Sequence, residues 1–197
     1  GDLSDATVEE MERAVGLLRD EVERTVEAGI QLVNYYKMAA QQLMSRELYG
    51  LAADFYREAL DLQPTNKLVA YKLGVTTAQV ARSQAAGNAR TVGLEEALDH
   101  YLYALELDPT YADALYAVSV LYIFEFDNPG EAERYLERLL AERPGHTRGM
   151  FLLARVYVEY GRIDDAISLY DEIIRESENE EEIEQARRNR SELTGSG

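Results

Sequence analysis

Apolar residues recur at helical spacing along most of the chain, and the rhythm of one segment returns in another. Residues 56–66 read Y-R-E-A-L-D-L-Q-P-T-N, and residues 101–111 read Y-L-Y-A-L-E-L-D-P-T-Y. Around the first, Ala52, Phe55, Tyr56, Ala59, Leu60 and Leu62 form one stripe; around the second, Ala97, Leu98, Tyr101, Ala104, Leu105 and Leu107 do the same. Steps of three and four place such residues on one face of an α-helix. Each stripe stops at a proline, Pro64 or Pro109, whose ring removes a backbone donor and restricts the residue before it.

A further amphipathic helix precedes each copy. Tyr36, Ala39, Ala40 and Leu43 lead the first, while Ala70, Leu73 and Gly74 lead the second. The small Ala40 and Gly74 admit a neighbouring helix at close range. A third unit runs Leu115, Val118, Ser119, Tyr122, then Ala132, Leu136, Leu139 and Pro144. A fourth runs Met150, Leu153, Ala154, Tyr157, then Gly161, Ala166, Tyr170 and Ile173. Over residues 33–177 this pattern resembles the tetratricopeptide repeat (TPR) family, whose unit of about 34 residues carries aromatic, Leu-Gly, Tyr, Ala and Pro signature positions. There are departures: Tyr36, Ala70, Leu115 and Met150 stand where the family has Trp, only Gly74 keeps the glycine of Leu-Gly, and the fourth unit lacks the closing proline.

The resemblance implies an all-α fold, a right-handed α-solenoid of about four helix pairs over residues 33–66, 67–111, 112–146 and 147–177. Residues 1–29 form an N-terminal helical extension. Residues 178–197 form a capping helix and tail, with Ile183, Ala186 and Leu193 as a thin apolar stripe under a charged outer side. In the extension, Thr7 and Glu10 make a capping box. Val8, Met11, Val15, Leu18 and Val22 then alternate by threes and fours, and Leu17, Val26 and Ile30 widen the stripe. Packing of this helix onto the array is the expectation and self-association the alternative; Gly29 is expected to break or bend it.

The two matching segments begin at Tyr56 and Tyr101, so the second unit carries about 11 residues beyond a regular repeat. The surplus falls between its paired helices, near residues 81–93, with Gly87-Asn88 and Gly93 as turn signals and a projecting edge as the outcome. From residue 62 to 94 there is no Asp or Glu, while Lys67, Lys72, Arg82 and Arg90 are present. Arg82 and Arg90 therefore either pair with an acidic part of the same molecule or offer a second surface to an acidic partner.

That window is an exception to the overall charge. Lys and Arg number 20 against 37 Asp and Glu, a net charge of -17, which repels a phosphate backbone and argues against nucleic-acid binding. With no Cys, disulfides, thiolate metal sites and a cysteine nucleophile are excluded. The longest apolar run, residues 114–124, is too short to span a bilayer, which takes roughly 20 residues. The chain opens on Gly1 rather than Met, so the compartment stays open: cytoplasmic by default, with an exported or anchored form still admitted.

The family's concave groove, carried over residue by residue, falls on Asn34, Lys37, Met38 and Gln41 in the first unit and on Tyr71, Lys72 and Val75 in the second. The third unit supplies Tyr116, Ala117 and Val120, and the fourth Arg148, Phe151, Leu152 and Arg155. Asp113 is the acidic exception on this face. Aromatic rings and cations together suit an acidic peptide with apolar anchors; alternatively, Tyr71, Tyr116 and Phe151 serve only to pack. The carboxylate clamp of chaperone-cofactor TPR domains is not matched, since Lys37 fits but Gln41, Lys72, Asp113 and Ala117 do not. His100 and His146 stand without a second ligand nearby in sequence, and no phosphate loop or calcium loop is present. The expectation is a non-catalytic adaptor or assembly scaffold for a protein or peptide, without cofactor or metal. The alternatives are a homo-oligomer joined through the N-terminal helix and a small-molecule carrier in a transport system.

Overall fold

The computed structural model describes residues 5–195, with side chains from residue 10 onward. Every regular element among these is helical, and the chain divides into two compact units, Gly1–Thr65 and Asn66–Gly197.

The first unit is a hairpin of α1 (Asp5–Met44) and α2 (Tyr49–Leu62). Val33, Ala40, Ala52, Ala53, Tyr56 and Ala59 are buried between them, and the Tyr36 and Phe55 rings meet at 5.7 Å. The chain reverses through Glu47, at φ 61, with the Leu48 N–H donating to the Leu43 carbonyl. The helix is continuous through Gly29, contrary to the expected break. A lone helical glycine costs only about 1 kcal/mol relative to alanine, too little to interrupt 40 residues of otherwise good helix formers. Thr7, expected as the cap, lies within this helix, and its side chain is outside the described residues. The N-terminal stripe is not packed away either: Met11, Val15, Leu18, Val22 and Val26 are each 53–63% exposed.

The second unit stacks α3 (Lys67–Ser83), α4 (Asn88–Leu107), α5 (Ala112–Phe124), α6 (Pro129–Glu142), α7 (Thr147–Glu159), α8 (Ile163–Glu176) and α9 (Glu180–Thr194). Each helix packs on the next in chain order, the arrangement of a helical-repeat solenoid. Four starts carry side-chain caps: Asn66, Asn128 and Asn179 accept N–H bonds from Val69, Glu131 and Glu181, and the His146 imidazole Nδ1 accepts from Gly149 at 3.0 Å. Ends follow the prolines, with α2, α4 and α6 stopping two residues before Pro64, Pro109 and Pro144. Inside the fourth pair, Gly161 at φ 70 turns α7 off, and the Arg162 N–H reaches back to the Tyr157 carbonyl at 2.8 Å.

The surplus residues of the second unit are mostly helix rather than loop. They lengthen α3 to 17 and α4 to 20 residues, against 13 and 14 for α5 and α6. Only residues 84–87 connect the pair, turning at Gly87 with φ 152. Gly93 is therefore not a turn: it lies inside α4, where a Cβ would come within 2.8 Å of the Ala81 Cβ. The added turns extend the buried seam with Ala81 and Leu94.

Small residues set the spacing of the stack. A Cβ on Gly74 would approach the Tyr101 ring at 2.7 Å and the Ala97 carbonyl oxygen at 3.1 Å. Gly74→Ala should therefore destabilise the protein by about 1–3 kcal/mol through overpacking. Gly16→Ala, at an exposed helical position with nothing within 4 Å, should be neutral or stabilising. Urea unfolding of both variants beside the parent checks this; equal midpoints for Gly74→Ala and the parent would contradict it.

Candidate partner-binding surface

The candidate residues of the first unit share a face of α1. Asn34, Met38 and Gln41 are exposed and Lys37 is half-buried, on a side of the helix turned away from the Val33, Tyr36 and Ala40 contacts with α2. Met38 and Gln41 border a shallow depression with Gln42 and Ser45.

In the second unit the candidates lie on α3, α5 and α7, the first helices of successive pairs. All three proposed aromatic anchors already have ring partners within the chain. Tyr71 lies 5.7 Å from the Tyr101 ring and 5.4 Å, edge-on, from Tyr111 at the start of α5. Tyr116 repeats the arrangement one pair later, 5.4 Å from the His146 ring at the start of α7. Each ring thus props the first turn of the next repeat. Burial, and then the Asp113 charge, raise the Tyr71 pKa, and the same two influences raise that of Tyr111, which is also hydrogen-bonded to Asp113. The one acid on this face is thereby occupied. Lys72 lies over the Tyr71 ring at 5.7 Å, and Val75 and Val120 are half-buried beside these helices.

The third aromatic, Phe151, meets the Tyr170 ring at 6.1 Å. Phe151 borders a cavity of ≈ 440 Å³ whose wall includes Phe124, Leu152, Arg155 and Tyr170. The Arg155 guanidinium lies over the Phe124 ring, 4.9 Å from its centre, and Arg148 is exposed on the same helix. The far wall belongs to α9, with Gln185, Asn189 and Glu192, and Asn189 is hydrogen-bonded to Tyr170. So α9 both caps the stack, burying Ala186, and contributes side chains to the cavity. The α9 residues were not identifiable as site residues from sequence because the family resemblance ends at residue 177, and Phe124, at the end of α5, is not among the family's groove positions. The polar i, i+4 spacing of Gln185 and Asn189 was the available signal.

Arg82 and Arg90 do not face outward for a partner. Arg82 Nε and Arg90 Nη2 each donate to Glu125 at 2.9 Å, one to each carboxylate oxygen, and the Glu125 side chain is only 11% exposed. These bonds clamp the lengthened α3–α4 pair to the end of α5. Burial would raise the Glu125 pKa, but the hydrogen bonds and charges of the two arginines outweigh it and hold it below the ordinary value.

A stack of helix pairs, each packed on the next in chain order, is a helical-repeat architecture. Residues 124–189 match the family model described as tetratricopeptide repeat. A TPR repeat-containing protein of Borreliella burgdorferi is 22% identical over 150 residues, 76% of this chain and 65% of that protein, so the chain spans just under two thirds of this relative. Among solved structures, a thermophilic TPR protein of Thermus thermophilus is similar, with a TM-score of 0.67 at 19% identity, over 87% of this chain and 86% of that one. The first TPR of Spaghetti, bound to an HSP90 peptide, gives a TM-score of 0.57 at 17% identity, covering 66% of this chain and 94% of that one. Residues 124–189 thus carry a tetratricopeptide-repeat match, and the chain has the fold that these TPR proteins share.

Loss of the Glu125 carboxylate leaves two arginines converging without their shared partner. Glu125→Gln should cost about 1–3 kcal/mol of stability. Because the folded pKa lies below the unfolded one, this contribution is present above the ordinary carboxylate range and is lost as pH falls through the folded value. Denaturant midpoints measured from neutral to acid pH should converge for the two proteins; a constant gap would refute the assignment.

Proposed function

We propose that this protein is a non-catalytic adaptor or assembly scaffold that binds a segment of a partner protein on the α3, α5, α7 and α9 face. The observation that carries this reading is the cavity between α7 and α9. Its apolar wall of Phe124, Phe151 and Leu152 suits an aliphatic or aromatic anchor, and Arg155 at its border suits a carboxylate. Lys72 and Arg148 add positive charge along the same series of helices. The preferred ligand is therefore an acidic segment carrying at least one apolar side chain. Tyr71 and Tyr116 contribute ring edges while holding adjacent repeats in place. The first TPR of Spaghetti, of similar fold, is bound to an HSP90 peptide, which supports a peptide as the class of ligand.

Affinity capture from a lysate of the source organism tests this reading. The parent chain is run beside Lys37→Glu/Lys72→Glu/Arg155→Glu and beside Phe151→Ala, each shown by circular dichroism to be folded. The expected result is a protein retained by the parent and reduced at least about tenfold, or 1.4 kcal/mol, by both variants. Equal retention by all three would place binding elsewhere and overturn the proposal.

A further inference from the structure

We infer that α1 is a self-association surface, and that two copies of this chain pair through residues 11–26 as antiparallel helices centred on Leu18. The starting observation is the exposed stripe of Met11, Val15, Leu18, Val22 and Val26. Through Gly29 these residues continue, at steps of three and four, into Val33, Tyr36 and Ala40, the residues that α2 covers. Met11, Val22 and Val33 are spaced by eleven, a period that keeps a stripe on one face of a nearly straight helix. One apolar face is thus covered by α2 at its C-terminal end and bare toward its N-terminus.

The geometry selects the occupant. Tyr36 beside Phe55 sets the register of the hairpin, so that α2 ends at the level of Gly29. A parallel, in-register second copy would need the same face beyond Gly29 and would collide with α2. An antiparallel copy centred on Leu18 needs that face only as far as about Gly29, where α2 stops. The stripe is also self-complementary in that direction. With Leu18 opposite Leu18 of the second copy, Val15 falls opposite Val22 and Met11 opposite Val26. Ala14, Thr25 and Ala28 line one flank and leave room for close approach.

Two further arguments favour a second copy over other occupants. Residues 5–30 carry eight acids against three arginines, which opposes docking on an anionic lipid surface. At roughly 100 Å² for each large side chain covered, pairing removes on the order of 1,000 Å² from water over both copies, at the low end for a specific interface. The pairing is accordingly concentration-dependent. Because both helices are acidic, it tightens as salt rises.

The test is sedimentation equilibrium of the full chain from low micromolar to sub-millimolar concentration, at low and high salt. The parent should move from the mass of one copy to that of two. Leu18→Lys, at an exposed position, should keep its circular dichroism and stay at one copy throughout. Absence of native cysteine makes the orientation testable by oxidation. Leu18→Cys should cross-link to itself readily and Met11→Cys poorly, while a mixture of Met11→Cys and Val26→Cys should cross-link to each other. A parent that stays single at every concentration would assign the stripe to a different partner and overturn the inference. A two-copy mass retained by Leu18→Lys, or Met11→Cys cross-linking as fast as Leu18→Cys, would overturn it as well. None of these readouts depends on the groove, so the two proposals stand or fall separately.

Discussion

Close backbone approach at small residues is the contact on which the second unit depends. A pair of short helices cannot bury its apolar stripes alone; it must press them against the next pair, and bulky side chains at the crossing would hold the backbones apart. Ala70, Gly74, Ala97, Ala104, Ala114, Ala132, Ala154 and Ala166 occupy the crossings and are almost wholly buried. Large residues fill the hollows beside them, among them Tyr101, Leu136 and Tyr170 at corresponding places in successive second helices. The same division appears within the first unit, where Ala40, Ala52 and Ala59 flank the buried Tyr56.

Lengthening one pair creates a mechanical problem that charge resolves. The extra turns of α3 and α4 reach past the seam shared with shorter neighbours, and their free ends carry Arg82 and Arg90. A single carboxylate at the end of α5 accepts from both. The local absence of acid from residue 62 to 94 thus has a structural explanation at its centre: Glu125 supplies the counter-charge from 35 and 43 residues away in sequence.

The two proposed surfaces divide the labour of a scaffold. Phe151 and Arg155 border a cavity where an acidic, apolar-anchored segment fits, while the stripe on α1 suits another copy of the chain. Pairing would present two grooves in one particle and raise the apparent affinity for any partner that displays its segment more than once.

The helices, their pairing, and the places where they stop are readable from the amino-acid order, because periodicity, proline and small-residue spacing act within a few residues. Pro64, Pro109 and Pro144 lie just beyond helix ends because a proline limits its own backbone and that of its predecessor, wherever the chain goes next. Gly29 stays helical for a local reason too, since its small penalty is outvoted by the turns on either side. Three features depended on the tertiary structure instead. The surplus of the second unit becomes helix because α3 and α4 can bury Ala81 and Leu94 against each other. Arg82 and Arg90 are engaged because Glu125 is brought to them by the fold. The cavity wall includes α9 because capping the stack sets Gln185 and Asn189 opposite Phe151. Sequence decides what a short stretch prefers, whereas these outcomes turn on which distant residue arrives beside it, and only the packed chain determines that.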